Sequence, residues 1–514
     1  MLIDNKRGAI LVMAIGIVIF VLVLVLLITN IVTTDIRISA NAENYLQALY
    51  VAEAGLNYAL PLLDYDSGFR TTSTMSFNGG SFTVTLVDGD GGTVTLTSVG
   101  TYKGTKHTLK LRILLGNWPM FKYCPERTSY SFPQHIVARQ LTEKWYFTAG
   151  DAIDSSPSID RSRVVFGCND NKVYCIRASD GGLLWSYTTG NDVISSPCIY
   201  SGYVYVGSND GYFYCLNLTD GSLVWRYRNP TNLQAWQSSP CAVDDVIYAA
   251  CNDGRIYAFN YLTGSIKTGW PYLIGNNIGI YSSPCIDTDG GIMYIGADNS
   301  FLYAINIATA SLVPGWPQDM DGAIKATPCC SNSGYWTRHG WGWGWWGWGT
   351  QTGGGGMHIY VGSYGGTVAS FEPDGSQDWI TRRTYGQIKS SPVYSPDEDE
   401  VYMGSGNQSL YGFRASDGRQ VDRYNTRHAV DSSPAVQNDQ MFVGNDDNYV
   451  TALTVSNLRS QYQYNTGGNV DSSPAIYGNN LYVGSDSHRL YKWQSQTTPT
   501  GTLTVLTESL RDTF

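Results

Sequence analysis

Charge is what this 514-residue sequence is short of: Asp, Glu, Lys and Arg make up only 15% of it, with 33 cations against 43 anions and a formal net charge of −10. A surface that holds phosphates by bulk positive charge is therefore excluded, and nucleic acid with it as a partner. Histidine is scarce, at 6. No two cysteines stand in a C-x-x-C pair, and no histidines accompany them at zinc-site spacing, so a structural zinc centre lacks its ligands. There is no G-x-S-x-G and no glycine loop set between a strand and a helix to cradle phosphate, which removes the hydrolase and nucleotide-binding classes. What is abundant is aromatic residues, at 13%, and glycine, at 56 residues. That mixture favours short strands joined by tight turns, and the length implies more than one folded unit.

The N-terminus departs from this pattern. Lys6 and Arg7 precede the apolar run Ala9 to Ile28, and no charged side chain occurs from Ala9 to Thr34. Such a run matches the span of a bilayer core, and the paired cations put Met1 on the cytoplasmic side. It is longer than a signal-peptide core, and no A-x-A site follows it. Helical spacing continues through Ile36, Leu46, Leu49, Ala52, Leu56 and Leu60 until Pro61 and the Asp64, Asp66, Gly68 cluster stop it. A single helix over 9–60, roughly 78 Å long, is expected, and a helix of that kind needs partner helices. Within 61–115, alternation through Phe82, Val84, Leu86, then Val94, Leu96, Val99, then Leu109, Leu111, Ile113 predicts a small antiparallel sheet. Residues 116–140, with Pro119, Pro125 and Pro133, read as a linker.

Lys6-Arg7-Gly8 before the apolar helix, Asn41-Ala42, and Ala52-Glu53-Ala54-Gly55-Leu56 together resemble the N-terminus of type IV pilins, in particular the PilX-type minor pilins. The resemblance covers about the first 115 residues. It implies that residues 1–8 are a prepilin leader cut between Gly8 and Ala9, and that helix 9–60 packs against other pilin subunits. It also implies residence in the inner membrane before assembly, and in the pilus or at the cell surface afterwards. Major pilins carry glutamate at the fifth mature position, which here is Met13. That departure favours a tip or initiating role over repeated polymerisation.

The rest of the chain is repetitive. Ser-Ser-Pro, once Ala-Thr-Pro, places proline at 157, 197, 240, 284, 328, 392, 434 and 474. The period is about 42 residues, with one insertion of about 20. Each unit follows its proline with a Tyr/Val strand ending in glycine (167, 207, 296, 362, 404, 444, 484, with Ala250 in the third), an Asn/Asp/Gly turn, a second Tyr-rich strand and a Trp-bearing strand. Four strands per unit make a propeller blade, so residues 141–494 are expected to form an eight-bladed β-propeller. Trp145 stands twelve residues before Pro157, as Trp185 does before Pro197, whereas the last unit, ending at Trp493, lacks a fourth strand. The strand around Trp145 is therefore expected to complete the last blade and close the ring. The fold class expected is mainly β: a long pilin-like α-helix with a small antiparallel sheet, the eight-bladed propeller, and a C-terminal tail over 495–514.

Ala178-Ser-Asp-Gly-Gly-Leu-Leu-Trp185, Leu218-Thr-Asp-Gly-Ser-Leu-Val-Trp225 and Glu372-Pro-Asp-Gly-Ser-Gln-Asp-Trp379 resemble the pyrroloquinoline-quinone-type repeat family. That family holds quinoprotein dehydrogenases and non-catalytic scaffolds such as the lipoprotein of the outer-membrane barrel-assembly machine, so the repeat alone does not choose between them. The resemblance implies blade docking by Trp145, Trp185, Trp225, Trp270, Trp316 and Trp379, with looser packing where Asp422 and Tyr462 stand instead. Quinoprotein alcohol dehydrogenases carry a vicinal disulfide beside their cofactor, which draws attention to Cys329-Cys330. However, Cys198, Cys241, Cys285 and Cys329 share one repeat position, so the pair reads as small buried strand residues. The ten cysteines, at 124, 168, 175, 198, 215, 241, 251, 285, 329 and 330, crowd the first five units, where disulfide staples are expected in an exported chain. Asp170, Asp210, Asp253, Asp298 and Asp446 fall in hairpin turns, where aspartate satisfies local backbone donors, and no metal site is read from them.

The insertion over 331–356 holds Trp336, Trp341, Trp343, Trp345, Trp346 and Trp348 among glycines. Tryptophans so concentrated mark a contact surface or a lid folded on the chain's own propeller. Together these readings lead to an expected function without catalytic residues, cofactor or metal: a minor pilin presenting a propeller head for adhesion, surface binding or pilus assembly, with a surface glycan or protein as ligand. The rivals are a membrane-anchored periplasmic scaffold and a quinoprotein dehydrogenase.

Overall fold

The computed structural model describes residues 43–56, 58–59, 72–88, 93–114, 120–122, 141–160, 162–230, 234–331, 357–381, 384, 386–396, 398–437 and 439–495. The expected prepilin leader with Gly8 and Ala9, the apolar run Ala9 to Ile28, the Trp/Gly insertion from residue 332 to 356 and the tail from 496 lie outside the described residues. Among the described residues no helix is long and apolar enough to cross a membrane. The contacts divide into two compact units.

In the first unit a helix, α1 (residues 43–56), packs on a four-stranded antiparallel sheet of order β1 (Thr72–Phe77), β2 (Gly80–Asp88), β3 (Thr93–Tyr102) and β4 (Thr105–Leu114). Ala48, Val51, Ala52, Gly55 and, just past α1, Ala59 are its buried positions, one stripe at helical spacing. Phe82, Val84, Leu86 and Leu96 answer them from the sheet. Small residues permit the close approach. A Cβ added at Gly100 would lie 2.2 Å from the Ala48 carbonyl oxygen, and one at Gly55 would lie 2.2 Å from Ser98 Oγ. Of the helix expected over 9–60, only the short α1 is described, so a long helix is not shown, and the expected sheet has four strands.

The second unit consists of eight antiparallel sheets, seven of four strands and one, blade 4, of five. Blade 2 is representative, with strands Cys198–Tyr200, Tyr203–Gly207, Tyr212–Asn217 and Leu223–Arg228 in sequence order. The last blade takes Ala475–Tyr477, Asn480–Ser485 and Arg489–Ser495 from the end of the chain, and β5 (Leu141–Thr148) from its beginning. Lys492 pairs with Trp145 in this closing sheet. The buried Lys492 Nζ donates to the Ala178 carbonyl at 2.7 Å, and burial pushes its pKa down to about 8.

The repeated Ser-Ser-Pro accounts for the closure. The second hydroxyl of each triplet accepts the backbone N–H of its counterpart one blade earlier, from Ser156 to Ser196, Ser239, Ser283, Thr327, Ser391, Ser433, Ser473 and back to Ser156. These eight bonds, each 2.9–3.0 Å, form an unbroken ring around the axis. The first serine accepts from the strand-ending glycine of its own blade, as Ser155 does from Gly167 and Ser472 from Gly484. At most blades that position is glycine because the next blade's apolar residue sits on it, with Ala250 the exception in blade 3. A Cβ at Gly167 would lie 2.3 Å from the Val193 carbonyl oxygen, and one at Gly484 would lie 2.4 Å from Ile153 Cγ2.

Of the linker expected over 116–140, residues 120–122 are described. Met120 is buried in the core cluster of blades 2 to 4, and the buried Lys122 donates its Nζ proton to the Pro392 carbonyl in blade 6. An ammonium group that deep needs such an acceptor, and it ties Lys122 to blade 6. Of the cysteines expected to form staples, Cys168, Cys175, Cys215 and Cys251 are free buried thiols, and Cys124 lies outside the described residues. Strand neighbours project small side chains into the blade interfaces, and thiols fill that role without bonding.

Candidate functional site

Aligning the blades on their Ser-Ser-Pro brings eight residues, each directly before the triplet, to one axial mouth: Asp154, Ile194, Gln237, Tyr281, Lys325, Lys389, Asp431 and Asp471. The second residue after each strand-ending Gly (Ala250 in blade 3) supplies a further eight: Asn169, Asn209, Asn252, Asp298, Tyr364, Gly406, Asp446 and Asp486. Their hydrogen bonds knit the two sets together. Asn169 Nδ2 donates to Asp154 Oδ2 at 2.8 Å, Gln237 Nε2 to Asn209 Oδ1 at 3.0 Å, and Asn252 Nδ2 to Gln237 Oε1 at 3.1 Å.

The mouth is electrostatically lopsided. On blades 4 to 6, Lys325 Nζ lies over the rings of Tyr281 (4.2 Å) and Tyr364 (4.9 Å), and Lys389 pairs with Asp431. On blades 8 and 1, Asp154, Asp471 and Asp486 bring carboxylate oxygens within 4.8 Å of one another. Asp471 has an exposed surface, yet its carboxyl is hemmed in. That enclosure, followed by the charges of Asp446, Asp154, Asp486 and Asp431, pushes it up to about 7. Enclosure and then Asp154 push Asp486 up to about 6. Burial also raises Asp298 and Asp446, opposed by Lys325 and Lys389 respectively. Like charges that crowd in a partly desolvated site shift in this direction.

The turn aspartates separate into two groups. Asp170, Asp210 and Asp253 accept from the hydroxyls of Tyr174 (2.5 Å), Tyr214 (2.6 Å) and Tyr257 (2.8 Å), and are structural. Asp298 and Asp446 sit one position earlier in their turns and so belong to the mouth. The signal that separates them is the column of the repeat, not the residue type.

The docking tryptophans lie at the blade interfaces. Trp185 Nε1 donates to the Leu218 carbonyl at 2.9 Å, Trp225 to Tyr261 at 3.1 Å, Trp379 to Ala415 at 2.7 Å, Trp145 to Ser179 at 3.1 Å and Trp316 to Pro373 at 3.0 Å. The glycine of the next blade's Asp-Gly turn, such as Gly221 on Trp185, lies against the ring where no Cβ would fit. Trp270 is buried, but its Nε1 finds no acceptor among the described residues. At the remaining two equivalents, Asp422 pairs with Gly412, and Tyr462 is 51% exposed. Cys329 and Cys330 are successive residues of one strand and point to opposite faces. Cys330 Sγ approaches Cys285 Sγ of blade 4 at 3.1 Å. The six tryptophans of the insertion, Trp336 to Trp348, lie outside the described residues.

Comparison with known proteins gives a consistent picture. No curated protein matches this chain. Among solved structures, BamB from Moraxella catarrhalis superposes with a TM-score of 0.55 at 15% identity, over 69% of this chain and 99% of that one. A europium-containing methanol dehydrogenase superposes at 0.62 and 12% identity, over 74% and 98%. The quinohemoprotein alcohol dehydrogenase of Comamonas testosteroni gives 0.62 at 12% identity, over 74% and 80%. At such identities the likeness is one of fold, shared by scaffold and enzyme alike. The sequence model of one family, outer membrane protein assembly factor BamB, matches residues 136–337 and 364–498. Matched over more than half its length, this chain belongs to that family of repeat β-propellers.

Proposed function

We propose that this chain is a pilin-like minor subunit whose propeller is a non-catalytic head for adhesion or assembly, held by its N-terminal helix among other pilin subunits. The observation that carries the reading is the first unit. A helix with a stripe of small residues packs on a four-stranded antiparallel sheet, directly after an apolar run headed by Lys6-Arg7-Gly8 and ahead of a closed propeller. By this reading the chain passes through the inner membrane and ends in a pilus or at the cell surface, where the head meets a glycan or protein. The insertion Trp336 to Trp348 is the contact surface.

The quinoprotein alternative fits these residues poorly. A quinone bearing carboxylates would face a mouth where Asp154, Asp298, Asp431, Asp446, Asp471 and Asp486 outnumber Lys325 and Lys389. Cys329 and Cys330 offer no paired-sulfur surface, since they point apart. These observations favour a binding head over a dehydrogenase. The test is attachment of cells producing the full chain, compared with cells producing a chain that lacks Trp341 to Trp348. Attachment should fall with surface abundance unchanged; equal attachment removes the insertion as the contact. Dye-linked alcohol oxidation by the purified chain, given the quinone and calcium, would overturn the non-catalytic reading.

A further inference from the structure

Blade 5 breaks the repeat at three positions that meet in space. His358 directly precedes the second strand (Ile359–Gly362), Glu372 directly follows the third (Val368–Phe371), and Asp378 lies in the fourth (Gln377–Thr381). The register slips between Ser370 and Phe371, whose partners are Trp379 and Gln377, so Asp378 is the extra residue of a β-bulge. A bulge re-aims the side chain it carries. In blades 1, 2 and 6 the residue in Asp378's place is Leu184, Val224 or Val421, and Arg163, Tyr203 or Glu400 stands where blade 5 has His358. Only blade 5 combines an imidazole with two carboxylates here.

His358 Nδ1 lies 2.7 Å from Asp378 Oδ2 and 3.8 Å from Glu372 Oε1, and the three ligand atoms fall within 4.8 Å of one another. Ligands about 2.0–2.2 Å from a tetrahedral ion stand roughly 3.3 Å apart, so one contact must open and the other close by about half an ångström. Side-chain rotation supplies that. The supports are already in place. Ser370 Oγ donates to Asp378 Oδ2 at 2.8 Å, and the His358 backbone is fixed at both ends by Ser331, whose Oγ accepts the His358 N–H and whose N–H donates to the His358 carbonyl, each at 2.8 Å. Exposures of 25%, 35% and 21% leave an entry path from solvent for all three.

We propose that His358, Glu372 and Asp378 bind a divalent transition ion of the zinc class, with the remaining position open to water or to an oxygen ligand of a partner. One nitrogen and two oxygen donors suit such an ion better than calcium, which takes six or more oxygens. Binding takes the lone pair of His358 Nδ1, and the Nδ1···Asp378 contact gives way to the ion. This inference is independent of the pilin reading.

The test is Zn²⁺ titration of the full metal-stripped chain against a chromophoric chelator, with His358→Ala, Asp378→Asn and Ser370→Ala beside it. The expected result is one equivalent bound by the parent and lost in His358→Ala, with affinity reduced at least tenfold in Asp378→Asn. Ser370→Ala, which removes only an orienting hydrogen bond, should weaken it by about tenfold. Asp471→Asn at the axial mouth should leave that equivalent unchanged. Equal Zn²⁺ stoichiometry and affinity in the parent and in a folded His358→Ala chain would overturn the proposal, as would loss of the equivalent in Asp471→Asn alone.

Discussion

The ring of hydroxyl bonds can be cut at a single point. Ser196→Ala removes the acceptor of the Ser156 N–H, while the Ser196 backbone still donates to Ser239 Oγ. Ser156 and Ser196 are 4% and 5% exposed, so water cannot replace the lost acceptor without opening the blade interface. An unsatisfied buried donor costs about 1–3 kcal/mol. With a urea m-value of about 3 kcal/mol/M for a domain this size, a loss of about 2 kcal/mol lowers the unfolding midpoint by about 0.7 M. Ser196→Thr keeps the hydroxyl and introduces a methyl that the ring already accommodates at Thr327, so its midpoint should fall by less than half as much. Urea titrations followed by tryptophan fluorescence on the full chain measure all three proteins. Equal midpoints for the parent and Ser196→Ala would refute the ring as a source of stability. A Thr variant as damaged as the Ala variant would show that packing, not the hydrogen bond, sets the cost.

Further outcomes follow from other parts of the propeller. Gly484→Ala would place its Cβ 2.4 Å from Ile153 Cγ2 where the ring closes, an overpacking cost of about 1–3 kcal/mol. Adding Ile153→Ala, which removes Cγ2, should recover part of that loss relative to the sum of the two single substitutions in the same urea titration, and simple additivity would contradict the contact. Asp471 titrates near 7 when folded and near 3.9 when unfolded, so the folded chain holds the extra proton between those values and stability falls as pH rises through that window. Asp471→Asn should therefore raise the melting temperature more at pH 8 than at pH 4.5, and a gain that is equal at both would remove the carboxylate crowding. Burial pushes the thiols of Cys168, Cys175 and Cys215 up to about 12, so iodoacetamide should label them slowly in the native chain and fully in urea. Rapid native labelling at any of the three would place that cysteine at the surface.

Much of this architecture is legible in the sequence because propeller repeats are written in columns. Pro157 and its seven successors set the period, and the pairing of Trp145 with Trp185 reveals that β5 belongs to the last blade. The reason for the serines is not legible, since a closed circuit from Ser156 to Ser473 and back exists only once the ring has formed. The mouth was hidden for a related reason. Asp298 and Asp446 look like Asp170 by residue type, but a one-position offset in the turn gives them a different neighbourhood. His358, Glu372 and Asp378 escape a motif search because Glu372 follows the histidine by fourteen positions and Asp378, on a bulge, by twenty. Their signal is a departure from the repeat, visible only when the blades are compared position by position. The cysteines show the reverse case: export chemistry permits disulfides, yet Cys168, Cys175, Cys215 and Cys251 are unbonded strand residues.

The most direct test of the central claim is N-terminal mass spectrometry on the full-length protein in material sheared from the cell surface, beside the membrane fraction of the same cells. A mature start at Ala9 in the sheared fraction is the predicted result. An intact Met1 confined to membranes would contradict the pilin reading and leave a membrane-anchored periplasmic scaffold in its place.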